Sequence, residues 1–300
     1  METIETGDFR FEVIANWGVL PDGWSAGVVT GVVVDSQDRV YVCQQQRDPP
    51  VLVFDREGRF LNSWGSSYIV EPHTMFMDRD DFIYLADRGD HVALKLSLDG
   101  QVLLELGNRG QPSDTGCFED EGVVIRAAGP FNRPTRFSPA PSGDLYVSDG
   151  YRNSRVHRFA NDGSLIDSWG QPGTGGPGEF FSPHSLWVDS DGLVYVCDRK
   201  NNRIQIFNAA GEFEGQWTNV QLPTDLHIGQ NGLFYLAERE SNEATENLLT
   251  IRDRNSNVLA SWATPRSHQI WPDARGDIYL VSGAQTSSPG GVATKYISTR

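Results

Sequence analysis

FSPHSLWVDSDGLVYVCDR, residues 181–199, is the stretch that decides the fold. It is typical of a strand, a tight turn at Asp191-Gly192 and a second strand, because β-branched and aromatic residues flank a dipeptide that favours hairpin turns. His184 precedes the first strand, and Tyr195, eleven residues later, lies inside the second. The stretch therefore predicts a β-hairpin with a histidine at its start.

The same pattern occurs six times along the chain. Successive second-strand tyrosines are separated by 43, 62, 49, 40 and 44 residues, which suits four-stranded propeller blades. The sequence therefore predicts an all-β fold, a six-bladed β-propeller. The tyrosines are Tyr41, Tyr84, Tyr146, Tyr195, Tyr235 and Tyr279, and the residues eleven positions before them, here called the strand-start positions, are Thr30, His73, Thr135, His184, Thr224 and His268.

Histidine occupies the strand-start position in three alternate repeats, as His73, His184 and His268. Equivalent positions at the start of the inner strands of a propeller face its central axis, and alternate blades of six are a third of a turn apart. Three imidazoles would then meet at one point and leave a fourth coordination position open, as in catalytic zinc sites. We expect Zn(II), with Fe, Co, Ni or Mn compatible with the same ligands. The alternative is that the three histidines are polar residues lining a wet channel.

We expect one propeller domain over residues 1–300. The segment 1–27 contains an apolar and aromatic stretch, Phe9–Trp17, that resembles the outer strands of the other repeats, so it should complete the last blade and close the ring. Residues 108–130 form an insertion between blades 2 and 3, long enough to be functional or mobile, and expected on the face of the strand-start histidines. Residues 283–300, rich in Ser, Thr and Gly, are expected to be a loose tail.

Composition limits the possible partners and compartments. The net charge of −15 argues against nucleic acid and against an anionic membrane surface as partner. The sequence contains no apolar run long enough to span a membrane, and its first residues do not resemble a signal peptide. Three cysteines, Cys43, Cys117 and Cys197, cannot form a disulfide framework. A cytoplasmic location is therefore expected, and the oligomeric state stays open.

Four polar side chains follow second strands, four to six residues after the repeat tyrosine. They are Arg47, Arg88, Tyr151 and Arg199, and their turns should open on one face near the predicted metal. An arginine there could bind a substrate carboxylate through two parallel hydrogen bonds. A tyrosine there could act as an acid or base. The structural alternative for Arg88 and Arg199 is an Arg–Asp pair that bridges blades.

The repeats resemble NHL repeats. The segments Pro72-His73, Phe131–Thr135, Val147–Arg155, Pro183–Leu186 and Asp198–Gln205 resemble the lyase domain of the peptide-amidating enzymes, peptidyl-α-hydroxyglycine α-amidating lyase. The resemblance covers nearly the whole chain and is strongest from 131 to 207. It implies a six-bladed propeller with zinc held by His73, His184 and His268, a catalytic Tyr151, and substrate-binding arginines at Arg199 and, less closely, Arg47.

The chain departs from that family at several positions. The family has a disulfide-bonded cysteine directly after the tyrosine, where this chain has Arg152, and a second family disulfide in the fourth blade is also missing. The family's calcium-binding aspartate after the third histidine is replaced by Gln269, so the resemblance does not extend to structural calcium. We expect no oxygenase domain of the kind that would make the hydroxyglycine substrate.

The predicted function is a metal-dependent lyase that cleaves the C–N bond of an α-hydroxyglycine-like carbinolamide or a related small substrate. We expect the substrate to carry a carboxylate that Arg47, Arg88 or Arg199 would bind. Two alternatives stay open. The same metal could activate a water in a hydrolase, or the chain could be a non-enzymatic NHL scaffold that binds a partner.

Overall fold

The computed structural model describes residues 2–45, 48–239, 246–284 and 291–299. These residues form almost only β-strands, connected by turns, with one 3₁₀ turn at Arg199–Asn201. The strands are β1 (Glu2–Thr6), β2 (Phe9–Trp17), β3 (Val29–Val34), β4 (Val40–Gln44), β5 (Val51–Phe54), β6 (Phe60–Trp64), β7 (Pro72–Met77), β8 (Ile83–Asp87), β9 (Val92–Leu96), β10 (Val102–Gly107), β11 (Pro134–Pro139), β12 (Leu145–Asp149), β13 (Arg155–Phe159), β14 (Leu165–Trp169), β15 (Gln171–Pro172), β16 (Glu179–Phe180), β17 (Pro183–Val188), β18 (Val194–Asp198), β19 (Arg203–Phe207), β20 (Phe213–Trp217), β21 (Asp225–Ile228), β22 (Phe234–Arg239), β23 (Glu246–Arg252), β24 (Val258–Pro265), β25 (Gln269–Pro272), β26 (Ile278–Val281) and β27 (Ala293–Ser298).

The chain divides into two compact units, each with three of the six large sheets. Residues 1–68 and 224–300 contain the sheets β3 to β6, β21 to β24, and β1-β2-β27-β26-β25. Residues 69–223 contain the sheets β7 to β10, β11 to β14 and β17 to β20, with the short parallel pair β15 and β16. The six sheets confirm the predicted six-bladed β-propeller.

The repeat tyrosines explain why the pattern is so regular. All six lie in the second strand of their sheet, in β4, β8, β12, β18, β22 and β26, and each is at most 5 % exposed. Burying an aromatic ring at the same place in each sheet contributes a large apolar area to the core. The tyrosines therefore mark the blades correctly along the whole chain.

The strand-start positions lie at local irregularities of the sheets. In four sheets the pairing of the first and second strands shifts register directly around this position, at Thr30, His73, Thr135 and His184. A β-bulge of this kind redirects one side chain relative to the regular alternation of a strand. The irregularity therefore orients His73 and His184 independently of the packed faces of their strands.

Aspartates at the ends of second strands fix the chain just before these positions. The Asp87 carboxylate accepts the backbone N–H groups of Val70 and Glu71 at 2.7 and 2.9 Å. The Asp198 carboxylate accepts the Phe181 N–H at 2.8 Å. Because these contacts lie two or three residues before His73 and His184, they set the course of the chain at both histidines.

The last sheet contains both ends of the chain. Phe9–Trp17 pairs with Ala293–Ser298, as expected for an N-terminal strand that completes the final blade. The expectation of a loose tail over 283–300 is wrong for its second half, because Ala293–Ser298 is a strand between β2 and β26 with Tyr296 buried in the core. The Ser/Thr/Gly-rich residues 285–290 lie outside the described residues.

The insertion 108–130 contains no strand and belongs to the unit of residues 69–223. Its Thr115 and Cys117 are buried, whereas Phe118, Val123 and Ile125 are exposed. Cys43, Cys117 and Cys197 are free and buried. No helix in the described part of the chain has the length and apolarity of a membrane span.

Candidate metal centre

His73 is fixed by the backbone of the neighbouring sheet. Its imidazole is fully buried, and its Nδ1 lies 2.6 Å from the carbonyl oxygen of Thr135. A carbonyl can only accept, so Nδ1 carries the hydrogen and Nε2 keeps its lone pair. This tautomer leaves Nε2 available to bind a metal, as in protein sites where the second ring nitrogen is held by a carbonyl.

His268 repeats the same arrangement in the other unit. Its side chain is 4 % exposed, and its Nδ1 lies 2.7 Å from the carbonyl oxygen of Thr30. The close approach of Gly283 adds a steric requirement, since a Cβ at Gly283 would lie 2.8 Å from the Cβ of His268. His268 is therefore held as a ligand of the same tautomer as His73.

The three predicted ligands form one cluster. One ring nitrogen from each of His73, His184 and His268 lies within 4.8 Å of the other two, and all three side chains are buried. Three imidazole nitrogens bound to one zinc at ~2.0–2.1 Å lie roughly 3.3 Å apart, so the ring nitrogens would draw closer together on binding a metal. The donor set, its burial and the carbonyl partners of two of its members fit a divalent transition metal.

Tyr151 lies against two of these histidines. Its phenol oxygen is 3.0 Å from Nε2 of His73 and 3.2 Å from Nε2 of His184. The ring stands edge-on to both imidazoles and is 9 % exposed. The hydroxyl therefore reaches the nitrogens that would hold a metal, which is where a catalytic acid or base is needed.

Arg88 packs over the ring of Tyr151, with its guanidinium carbon 4.7 Å from the ring centroid. It forms ion pairs with Glu71 at 2.5 Å and with Asp120 of the insertion at 3.5 Å. Burial opposes the charge, but attraction to Tyr151, Glu71 and Asp120 outweighs it and raises the pKa of Arg88. Arg88 is thus a permanent cation beside the phenol, and the same attraction favours negative charge on the phenol oxygen.

Arg199 lies on the other side of the site and is 3 % exposed. Its guanidinium carbon lies 6.0 Å from the Tyr151 ring centroid. It pairs with Glu121 of the insertion and donates to the Ser182 hydroxyl at 3.4 Å. Arg88 thus pairs with an aspartate of the insertion as well as with Glu71, and Arg199 pairs with a glutamate of the insertion.

The structure thus brings together Tyr151, Arg88, Arg199 and the histidine cluster, while Arg47 lies outside the described residues. Asp120 and Glu121 were not predicted from the sequence, although the acidic run Glu119–Glu121 lies in an unusually long insertion. Arg133, which pairs with Glu71 at 2.6 Å and with Asp120 at 3.0 Å, was not predicted either.

Two residues that depart from the family pattern, Arg152 and Gln269, have structural partners. Arg152, which replaces the family cysteine, pairs with Asp120 at 2.8 Å, and its carbonyl accepts the Thr115 hydroxyl at 2.5 Å. The insertion is therefore held to the tyrosine turn by polar contacts. Gln269 pairs through both ends of its amide with the backbone of Val32, at 3.3 Å each.

Comparison with known proteins agrees with the fold and the resemblance. A family model described as a 6-bladed beta-propeller matches residues 140–269. NHL repeat-containing protein 3 of Homo sapiens is 31% identical over 244 residues, which is 76% of this chain and 66% of that protein. A probable peptidyl-alpha-hydroxyglycine alpha-amidating lyase of Caenorhabditis elegans is 30% identical over 197 residues, which is 63% of this chain and 52% of that protein. This chain therefore spans less than two thirds of either relative.

A solved streptogramin B lyase structure matches with a TM-score of 0.65 and 13% identity, over 96% of this chain and 98% of that chain. At this identity the likeness concerns the fold alone. The sequence relatives, by contrast, connect the chain to NHL repeat-containing proteins and to amidating lyases at about 30% identity.

Proposed function

We propose that this six-bladed β-propeller, a homologue of NHL repeat-containing proteins and of amidating lyases, is a metal-dependent C–N lyase. Its substrate would be an α-hydroxyglycine-like carbinolamide, or a related small molecule, that carries a carboxylate. The observation that carries the proposal is the Tyr151 phenol oxygen within hydrogen-bond distance of Nε2 of both His73 and His184.

His73, His184 and His268 would hold the metal, and zinc is the expected ion. A bound divalent metal supplies Lewis acidity that makes an oxygen-bound proton easier to remove. Thr135 and Thr30 contribute through their carbonyl oxygens, which keep the hydrogens of His73 and His268 on Nδ1 and so keep their Nε2 atoms ready.

Tyr151 would move the proton. In its anionic form it would take the proton of the substrate hydroxyl, the C–O bond would become a carbonyl, and the C–N bond would break with its electron pair going to nitrogen. The phenol then returns the proton to that nitrogen, so that an amide and glyoxylate leave and the balance is complete. Arg88, over the ring at 4.7 Å, favours the anionic form.

Arg199 would orient the substrate by its carboxylate. A guanidinium offers two parallel N–H donors that match a carboxylate, and the Arg199 side chain is almost fully buried beside the tyrosine. Holding the carboxylate fixes the substrate hydroxyl relative to Tyr151. Arg199 would therefore raise the reaction rate by positioning the substrate and would not itself transfer a proton. Arg47, which lies outside the described residues, stays a second candidate for this role by its position in the sequence.

The test is turnover of a benzoyl-α-hydroxyglycine by zinc-loaded protein, measured as benzamide and glyoxylate formed in equal amounts. The matched control is Tyr151→Phe, which keeps the ring and removes the hydroxyl. Equal release that depends on the hydroxyl supports the proposal. Hydrolysis of esters or lactones without glyoxylate release would favour the hydrolase, in which Tyr151 assists the attack of water.

A non-enzymatic scaffold is the competing class, since the human relative is named only for its NHL repeats. A scaffold has no need for three histidines within 4.8 Å of one another, and it should purify without stoichiometric metal. For the lyase we also propose a reducing, cytoplasmic location, because all three cysteines are free and buried.

A further inference from the structure

The insertion 108–130 places two carboxylates inside the cluster of cations around Tyr151. Asp120 pairs with Arg152 at 2.8 Å, with Arg133 at 3.0 Å and with Arg88 at 3.5 Å. Glu121 pairs with Arg199 and, at 3.2 Å, with Lys200, and it accepts the Ser182 hydroxyl at 3.3 Å. The insertion therefore supplies anions where the proposed reaction needs the anion of its substrate.

Without the carboxylates of the insertion, the ionised side chains around Tyr151 would carry more positive than negative charge. The cations of the cluster are Arg88, Arg133, Arg152, Arg199 and Lys200, and their carboxylate partners are Glu71, Asp120 and Glu121. Only Glu71 lies outside the insertion. Burial, together with the charge of Arg199, lowers the pKa of Lys200, as expected where cations are crowded. If the insertion moved away, the cluster would attract a new anion.

Glu121 is also held in an unfavourable backbone conformation. Its φ angle is +57°, in the left-handed region that non-glycine residues other than Asn and Asp seldom adopt. Its N–H donates to the carbonyl of Tyr151 at 2.6 Å, and Lys200 donates to its carbonyl at 3.2 Å. Contacts to the tyrosine turn and to Lys200 thus keep the residue in place against its conformational preference, and loss of those contacts would release it.

From these contacts we propose that Glu121 occupies the carboxylate subsite formed by Arg199, Ser182 and Lys200, and that a substrate carboxylate must displace it. Glu121 would thereby determine specificity. A ligand without a carboxylate cannot replace the ion pair with Arg199, so the insertion stays in place and the site stays closed to it. This inference rests on the proposed function for the identity of the ligand. Displacement of Glu121 by a carboxylate does not require that the lyase reaction takes place.

The test uses zinc-loaded protein and glyoxylate, the small carboxylate that the proposed reaction would release. Calorimetry gives the Kd of glyoxylate for wild type and for Glu121→Gln, which removes the charge and keeps the size. Removing an internal competitor should tighten binding by about tenfold. Glu119→Gln is the matched control, because Glu119 is an exposed acid two residues away, and it should bind as wild type does.

Hydrogen–deuterium exchange of wild type provides a second readout that needs no variant. Saturating glyoxylate should increase exchange in peptides from 108–130, because displaced Glu121 releases its contact with Tyr151. Either an unchanged Kd in Glu121→Gln or unchanged exchange in wild type would overturn the inference. If Glu121→Gln does not fold, the wild-type exchange result decides alone.

The two proposals fail in different ways. Lyase turnover in wild type with no effect of Glu121→Gln on glyoxylate binding would leave the proposed function in place and remove the displaced carboxylate. Tighter binding in Glu121→Gln without any turnover would remove the lyase and support the carboxylate subsite.

Discussion

Nδ1 of His73 lies 2.6 Å from the carbonyl oxygen of Thr135, and the pair is repeated by His268 and Thr30 at 2.7 Å. In both pairs the histidine and the threonine occupy the same strand-start position of their sheets. The alternation of histidine and threonine along the chain therefore has a physical meaning. One residue type would supply a metal ligand, and in these two pairs the backbone carbonyl of the other holds it in the required tautomer.

Replacing Tyr151 by phenylalanine tests the proton transfer. We expect Tyr151→Phe to retain metal and to lose about 10²- to 10⁴-fold in kcat, the usual range for a missing acid–base group. The phenol oxygen lies within hydrogen-bond distance of both His73 and His184, so its removal could also disturb the metal site or the fold. Metal content and thermal unfolding are therefore measured on the same sample. Turnover close to that of wild type would remove the catalytic role of the tyrosine.

Substitution of Arg199 tests the proposed binding of the substrate carboxylate. Arg199→Lys keeps the positive charge but loses the forked pair of donors, so KM for the carboxylate substrate should rise by about tenfold or more. The control is a substrate whose carboxylate is replaced by a carboxamide, which should react slowly with both proteins and with similar kcat/KM. If both substrates are affected equally, Arg199 acts on the structure of the site and not on the carboxylate.

Substitution of Asp198 tests whether its hydrogen bonds stabilise the chain just before His184. Its carboxylate accepts from Arg203 at 2.8 Å and from the Phe181 N–H at 2.8 Å, with Asn201 and Gln205 as further donors. Asp198→Ala leaves the buried Arg203 without this partner, so the free energy of unfolding should fall by about 3–5 kcal/mol.

The control for Asp198 is Asp167→Ala on an exposed position of β14, which should change the free energy of unfolding by no more than about 0.5 kcal/mol. Urea unfolding measures both variants. A similar small change in Asp198→Ala would show that the carboxylate network does not stabilise this part of the chain.

His91 predicts a pH dependence of stability. Burial, and then the positive charge of Arg133, lower the pKa of His91 below its model-peptide value of 6.5; Arg152 also lowers it, while Asp149 and Asp90 raise it. The backbone N–H of Arg133 donates to Nδ1 at 3.1 Å, which requires the neutral ring. The stabilising contribution of neutral His91 is fully present above pH 6.5, the pKa of the histidine in the unfolded chain. It is lost as the pH falls towards the lower pKa of His91 in the folded protein.

We therefore expect wild type to lose stability between about pH 7 and about pH 5 more steeply than His91→Asn, measured by urea unfolding at both values. Asparagine tolerates the φ of +59° at this position and does not titrate. Equal losses in the two proteins would show that His91 is not responsible.

Much of this fold was predictable because its signals are local and repeated. A tyrosine in each second strand and an Asp-Gly or similar turn before it define a blade without knowledge of any distant contact. The histidine cluster followed from the symmetry of the propeller, since residues such as His73 and His184 are placed by equivalent positions in equivalent sheets.

The parts that were not predictable depend on contacts between distant segments. Ala293–Ser298 looked like a tail because its neighbours are Ser, Thr and Gly, yet it is a strand because β2 lies beside it. Likewise, nothing local to Glu121 shows that its carboxylate meets Arg199, 78 residues later in the sequence. Loop placement of this kind is set by the surrounding charges and not by a repeat.

The central claim is that the three histidines hold a metal, and elemental analysis of the purified protein tests it most directly. We expect about one transition metal per chain in wild type and in His91→Asn, the control histidine outside the cluster, and almost none in His184→Ala. The same metal content in His184→Ala as in wild type, or no metal in wild type after reconstitution with zinc, would contradict the account.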